Sequence, residues 1–212
     1  MSIVVAHEKR RNEILGKALD VFIDEGFEDV TFQKIADRCG ITRTTLYIYF
    51  KNKREIFNYS IKHFLQILED DITRIRGEPG LSCLEQLTRV MLVIIERLEE
   101  NRRLLTVILD YLSYLFMNDN DPDYRVRRRT VRLRHILNAM LIEGIRSGEF
   151  APVNVKEANE ALYGFLEAAV FRLSILHHSK VDELKKAMTM TIRHMTKHQF
   201  ADASLQAQKI RG

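Results

Sequence analysis

Apolar residues recur along nearly the whole chain at three- and four-residue intervals, the spacing of helices buried on one side. Ile14, Leu15, Ala18, Leu19 and Phe22 make the first stripe and predict a helix from about residue 7 to residue 25. Gly26 stands where a left-handed cap is wanted, and Phe27 follows as its hydrophobic contact. Thr31 is placed to cap a second helix that turns Ile35 and Ala36 inward. Cys39-Gly40 ends it, because Gly40 can take the positive φ of a sharp turn. Ile41 anchors that turn, Thr42 caps a third helix, and Leu46 faces the core.

Beyond it the pattern is six longer helices. Asn52 with Glu55 forms a capping box before Ile56, Phe57, Ile61, Phe64, Leu65, Leu68 and Ile72. Gly77, Pro79 and Gly80 break the chain. Ser82 with Glu85 opens a fifth helix to about Glu100. A sixth carries Leu104, Leu105, Ile108, Leu109, Leu112 and Leu115, and ends at the polar turn NDNDPD. A seventh runs from about Tyr124 to Ser147. Asn154 with Glu157 opens an eighth, over about 155–177, and a ninth covers about 181–199. No strand-like alternation and no internal repeat survive. The fold class is therefore all-α with about nine helices: a compact three-helix head over residues 1–52 and a helical body over 53–212.

The stretch TFQKIADRCGITRTTLYIYFKNK (31–53) carries the chemistry. Two short helices around a tight turn, the second with a polar Arg- and Thr-bearing face, form a helix-turn-helix whose second helix suits the DNA major groove. An Arg fork matches guanine O6 and N7, and a Thr methyl suits the thymine methyl.

Composition refines this without carrying it. Net charge is +4, and the first sixty residues hold ten Lys and Arg against nine Asp and Glu. Placement must matter more than bulk charge. Asp24, Glu25, Glu28 and Asp29 gather at the end of the first helix. Arg10, Arg11, Lys34, Arg38, Arg43, Lys51, Lys53 and Arg54 surround the proposed reading head. Cys39 and Cys83 lack any C-x-x-C pattern and read as reduced apolar fillers in a cytoplasmic protein. No apolar run is long enough to span a membrane, and no signal-peptide pattern precedes the first helix.

The order Ile14-Leu15, Ala18-Leu19, Phe22, Gly26-Phe27, Thr31, Ile35-Ala36, Gly40-Ile41-Thr42, Leu46-Tyr47, Tyr49-Phe50 and Lys53 resembles the TetR (tetracycline-repressor-like) family of bacterial transcription regulators. The likeness is close over roughly residues 10–60; beyond them it rests on helix number and length. It implies that Arg43, Thr44 and Thr45 face bases and adjacent phosphates, with the cap Thr42 beside them in the DNA-binding set. It further implies that Tyr47, Tyr49 and Lys53 hold phosphates, and that Thr31 and Gln33 brace the opposite groove wall. Thr44 departs from the Gly, Ala or Pro common in the family, adding bulk and a hydroxyl.

Candidate ligand residues come from the body: Met91, Ile95, Leu109, Tyr111, Tyr114, Met117, Leu137, Met140, Leu141 and Tyr163, where Tyr hydroxyls on an apolar face hint at a polar-lined pocket for a small apolar or amphipathic molecule. The last two helices look apolar on more than one face, which favours a homodimer. The candidate interface is Ala161, Phe165, Ala168, Ala169, Leu173, Leu184, Met188, Thr191, Ile192 and Met195, and the family resemblance implies the same four-helix contact.

Other features read as structural. The basic run RVRRRTVRLRH (125–135) suits a solvated face paired with Asp119, Asp121 and Asp123. His194 and His198 have metal-pair spacing but no third ligand. No catalytic constellation, cofactor site or metal site stands out. The expectation is a dimeric, ligand-responsive repressor on double-stranded DNA. The alternative is a DNA-bound protein-interaction factor of the same fold without a small-molecule effector.

Overall fold

The computed structural model describes residues 3–117, 122–176 and 181–196. Among the described residues the elements are helices: α1 (Ile3–Glu25), α2 (Phe32–Cys39), α3 (Arg43–Tyr49), α4 (Lys53–Arg76), α5 (Cys83–Glu100), α6 (Arg102–Met117), α7 (Pro122–Ser147), α8 (Val155–Ile175) and α9 (Val181–His194). An isolated bridge pairs Phe150 with Thr196. Pro122, expected in a turn, is instead the first residue of α7, where its missing N–H costs no helical hydrogen bond.

The predicted caps are present. Gly26 and Gly40 have φ of 81° and 66°. The Gly40 N–H donates to Asp37 O and the Ile41 N–H to Ala36 O. Thr31 and Thr42 accept from the N–H groups of Lys34 and Thr45. Ser82 and Glu85 form the full reciprocal box. The box at Asn52 is shifted: Asn52 Oδ1 accepts from Glu55 N–H, but the Glu55 carboxylate receives the N–H of Lys51 rather than that of Asn52.

By contacts the chain falls into two units that do not follow the division expected at residue 52. The first is Met1–Glu69 with Asn101–Asn120; the second is Asp70–Glu100 with Asp121–Gly212. α6 thus belongs with the head. The cause is an aromatic cluster that α1–α4 leave incomplete. Phe27 lies 5.9 Å from Phe22 and 5.2 Å from Phe57. Tyr111 of α6 packs 4.4 Å from Phe27 and 4.9 Å from Phe57, and is 1% exposed. Ser60 fixes α4 to α1 by donating to the Leu15 carbonyl.

The second unit is built from α5, α7, α8 and α9 with the end of α4. Glu149 accepts from the Cys83 and Leu84 N–H groups, capping α5 from the α7–α8 connection. Phe150 is fully buried against Gly144, and the Ala151 N–H donates to Met195 O, tying the end of α9 to the same connection. Asp71 accepts from both Arg74 and Arg97. Cys39 and Cys83 are both free thiols, and burial pushes each thiol's pKa up. No helix of the described residues is long and apolar enough to cross a membrane.

Candidate nucleic-acid interface

Seven residues are too few to hold a helix alone, so α3 depends on its anchors. Leu46 and Phe50 are buried at 0% and 1% exposure, and Thr42 caps the start. Residues four apart share a helix face, which sorts α3 into the buried column of Leu46 and three others. In the first, the Arg43 guanidinium donates to the Tyr47 hydroxyl at 3.2 Å and lies 5.7 Å from its ring centroid. Tyr47 in turn rests on Phe32, with ring centroids 4.6 Å apart. In the third, the Thr45 hydroxyl is 2.8 Å from that of Thr42, and Tyr49 is half-buried, stacked on His7 at 4.6 Å. Between them, Thr44 and Ile48 are exposed.

On α2, Thr31 and Gln33 are both exposed, but each is engaged. Thr31 caps its own helix, and Gln33 donates to Asp37 at 2.7 Å. Arg43, Thr44, Tyr47, Thr31 and Gln33 therefore keep exposed surface, as does the cap Thr42. Tyr49 is tied back to α1.

Lys53 requires a correction. Its ammonium donates to the carbonyl oxygens of Phe27, Glu28 and Val30 at 3.0, 2.6 and 3.0 Å. Three N–H groups and three acceptors leave none for a phosphate. Burial lowers its pKa, against the opposing charges of Glu28 and Asp29. Lys53 braces the α1–α2 connection.

The expected separation of acidic and basic patches does not hold either. Lys34 pairs with Glu25, Arg38 with Asp24 at 2.9 Å, and Arg10 with Glu13 at 2.9 Å. Asp24 also receives Arg103 of α6 at 3.0 Å. Arg38, then Arg103, hold the Asp24 carboxyl below the usual carboxylate range. Arg11 stacks over Tyr59, 4.0 Å from its ring centroid. Opposite charges one turn or one helix apart neutralise each other locally at Arg10, Lys34 and Arg38.

The candidate ligand residues divide between the two units. Leu109, Tyr111 and Tyr114 of α6 sit in the first, with Tyr111 and Tyr114 against Phe27; Met117 is 84% exposed. Met91, Ile95, Leu137, Met140 and Leu141 are buried in the second unit, and Tyr163 carries Arg134 over its ring at 3.8 Å. An open groove of about 480 Å³ in the second unit is lined by Leu92, Lys185, Lys186, Thr189, Met190, Arg193 and His194, and by none of those expected.

The dimer set also needs correction. Ala169, Leu173, Leu184, Met188, Ile192 and Met195 are buried within the chain itself, so they are core of the second unit. Ala161, Phe165, Ala168 and Thr191 retain exposure. Phe171 and Ile175, each exposed at 52%, extend the outer face of α8 and were not expected. Their signal was present: 161, 164, 165, 168, 171, 172 and 175 are one continuous helical stripe. Ile48 was missed because a lone apolar residue makes no periodic pattern.

Asp119, Asp121, His177, His178 and His198, with the side chains of residues 122–130, lie outside the described residues. Of the basic run, Arg134 pairs with Glu160 of α8 at 2.5 Å. Among the described residues no group of three metal-ligating side chains occurs.

A family model described as bacterial regulatory proteins, tetR family, matches residues 14–59. That span contains the α2–turn–α3 unit and its anchors. The nucleoid occlusion factor SlmA of Vibrio vulnificus (strain YJ016) is 30% identical over 166 residues, covering 77% of this chain and 83% of that protein. The HTH-type transcriptional repressor KstR2 of Mycolicibacterium smegmatis is 29% identical over 143 residues, 68% of each. A TetR transcription regulator from Haloarcula marismortui, a solved structure, shares the fold at a TM-score of 0.79 over 90% of this chain and 100% of that one, with 18% identity.

Proposed function

The chain belongs to the tetR family of bacterial regulatory proteins, DNA-binding transcription regulators, and from that premise we propose that it acts as a dimeric, small-molecule-responsive repressor in the cytoplasm. The observation that carries the DNA-reading half is the exposed face of α3, held outward by the buried Leu46 and Phe50. Arg43 and Thr44 meet base edges, Tyr47 and Thr45 meet phosphates, and Thr31 and Gln33 steady α2 at the groove wall. Phosphate contacts hold register while base contacts select sequence. KstR2 is named a transcriptional repressor, which supports that direction of control.

Two copies would meet through the outer stripe of α8 and α9, with Phe171 and Ile175 at its centre. A two-fold dimer presents two copies of α3 to half-sites about 34 Å apart, so the operator is a near palindrome. A small apolar or amphipathic ligand, held among Met91, Ile95, Leu137, Met140, Leu141 and Tyr163, releases DNA only by preferring a conformation that DNA disfavours. α4 runs from the head into the second unit and is the connection through which that preference acts.

Gel-shift titrations on selected and random duplexes test the assignment. Arg43→Ala should narrow the gap between the two, by about tenfold if its contact is bidentate. An equal loss on both duplexes contradicts a base-reading Arg43.

A second reading is a DNA-bound factor that meets another protein and has no small-molecule effector. The position of Tyr111 and Tyr114 in the head core favours it, since it removes two polar groups from the expected pocket. The name of SlmA, a nucleoid occlusion factor, is compatible with it. A thermal-shift screen with apolar ligands that finds no stabiliser supports this second reading over the first.

A further inference from the structure

Ile48 is a large apolar side chain on α3 that folding leaves exposed. It is 68% exposed, within the segment that the family model matches. Isolated exposed apolar residues are ordinary on protein surfaces, so exposure alone decides nothing. Its place in the columns of α3 does. Arg43 and Tyr47 are joined to each other, Thr45 to Thr42, and Tyr49 to His7. What stands between them is Thr44 with Ile48 one turn on. The middle of the presented face is therefore an Ile side chain beside a Thr that bears a methyl as well as a hydroxyl. An Ile offers nothing to a phosphate, and the major groove displays one apolar group, the C5-methyl of thymine.

We propose that Ile48 is a specificity-determining residue, and that with Thr44 it forms a column reading thymine methyl groups in the major groove. This rests on the reading of α3 as the element that enters DNA. It shifts the expected preference of each half-site toward A·T pairs at the positions under this column. Arg43, beside the column on Tyr47, contributes hydrogen bonding at its flank.

The test begins with a random-sequence duplex library, from which the full-length protein selects its preferred site. Each thymine of that site is then replaced by deoxyuridine, which keeps every hydrogen-bonding group and lacks only the methyl. The wild type should lose about fourfold in affinity for each contacted methyl removed. Ile48→Ala should bind the parent site more weakly and be indifferent to deoxyuridine at the Ile48 position. Thr44→Ser, which loses only a methyl, should do the same at its own position, and Thr44→Val should stay sensitive there. Melting temperatures of the exposed-site variants should match the wild type. A selected site that tolerates full deoxyuridine replacement overturns the inference and leaves the DNA-reading role of α3 standing. Unchanged methyl sensitivity in Ile48→Ala overturns it too. Failure to select any sequence removes both this inference and the function it rests on.

Discussion

Lys53 Nζ lies 2.6 Å from the carbonyl oxygen of Glu28, and the same ammonium reaches Phe27 and Val30. One side chain at the start of α4 thereby closes the connection between α1 and α2. Its role is positional, and it separates from a phosphate contact by two readouts. Lys53→Ala should lower stability by about 1–3 kcal/mol, since three carbonyls lose a charged donor. The slope of log affinity against log salt should be unchanged. A slope reduced by about one with stability intact would mark a phosphate contact instead.

Phe171 and Ile175 are half-exposed on the outer stripe of α8, while Leu173 between them is buried at 2%. Phe171→Glu should therefore give a folded monomer by analytical ultracentrifugation. Its affinity for a two-half-site duplex should collapse toward that for one half-site. Leu173→Ala should instead cost about 2–5 kcal/mol of stability. A Phe171→Glu protein that stays dimeric places the interface elsewhere.

Gly144 admits no side chain. A Cβ built there falls 2.1 Å from Cδ2 of Phe150. The ring is fully buried, and the Phe150 N–H is fixed to Gly144 O at 2.9 Å. Gly144→Ala should destabilise the protein by about 1–3 kcal/mol, and Phe150→Leu in the same chain should recover part of it. Chemical denaturation of the two variants decides; a neutral Gly144→Ala contradicts the fit.

Asp71 is held below the ordinary carboxylate range by hydrogen bonds from Arg97 first and Arg74 second. A depressed folded pKa gives stability that is present above the unfolded value of about 3.9 and lost as pH falls through the folded one. Asp71→Asn should cost about 1–2 kcal/mol at neutral pH, limited because Arg97 is partly solvated. The difference from wild type should shrink between about pH 4 and lower values. A difference that stays constant over that range contradicts the ion pair's contribution.

The elements were legible because caps are local. Thr31, Gly40, Thr42, Ser82 and Asn154 each act on neighbours within a few residues, so sequence alone exposes them. Partners across the fold were not legible. Periodicity tells which residues share a helix face, not what that face meets. Leu184, Met188 and Ile192 therefore suited an interface equally well until the fold buried them in their own unit. Tyr111 suggested a polar pocket, whereas it completes the cluster of Phe22, Phe27 and Phe57. Likewise the charges of Lys34 and Arg38 lined a basic patch in sequence, but the acids that neutralise them, Glu25 and Asp24, come from another helix.

The central claim is that α3 enters the major groove of DNA. Hydroxyl-radical and methylation-protection footprinting at low ionic strength tests it directly. The account predicts two protected patches about one helical turn apart, with major-groove protection lost in a chain whose Arg43, Thr44 and Ile48 are all Ala. Protection that survives that triple substitution unchanged, or no protected base pairs in any selected duplex, would contradict it.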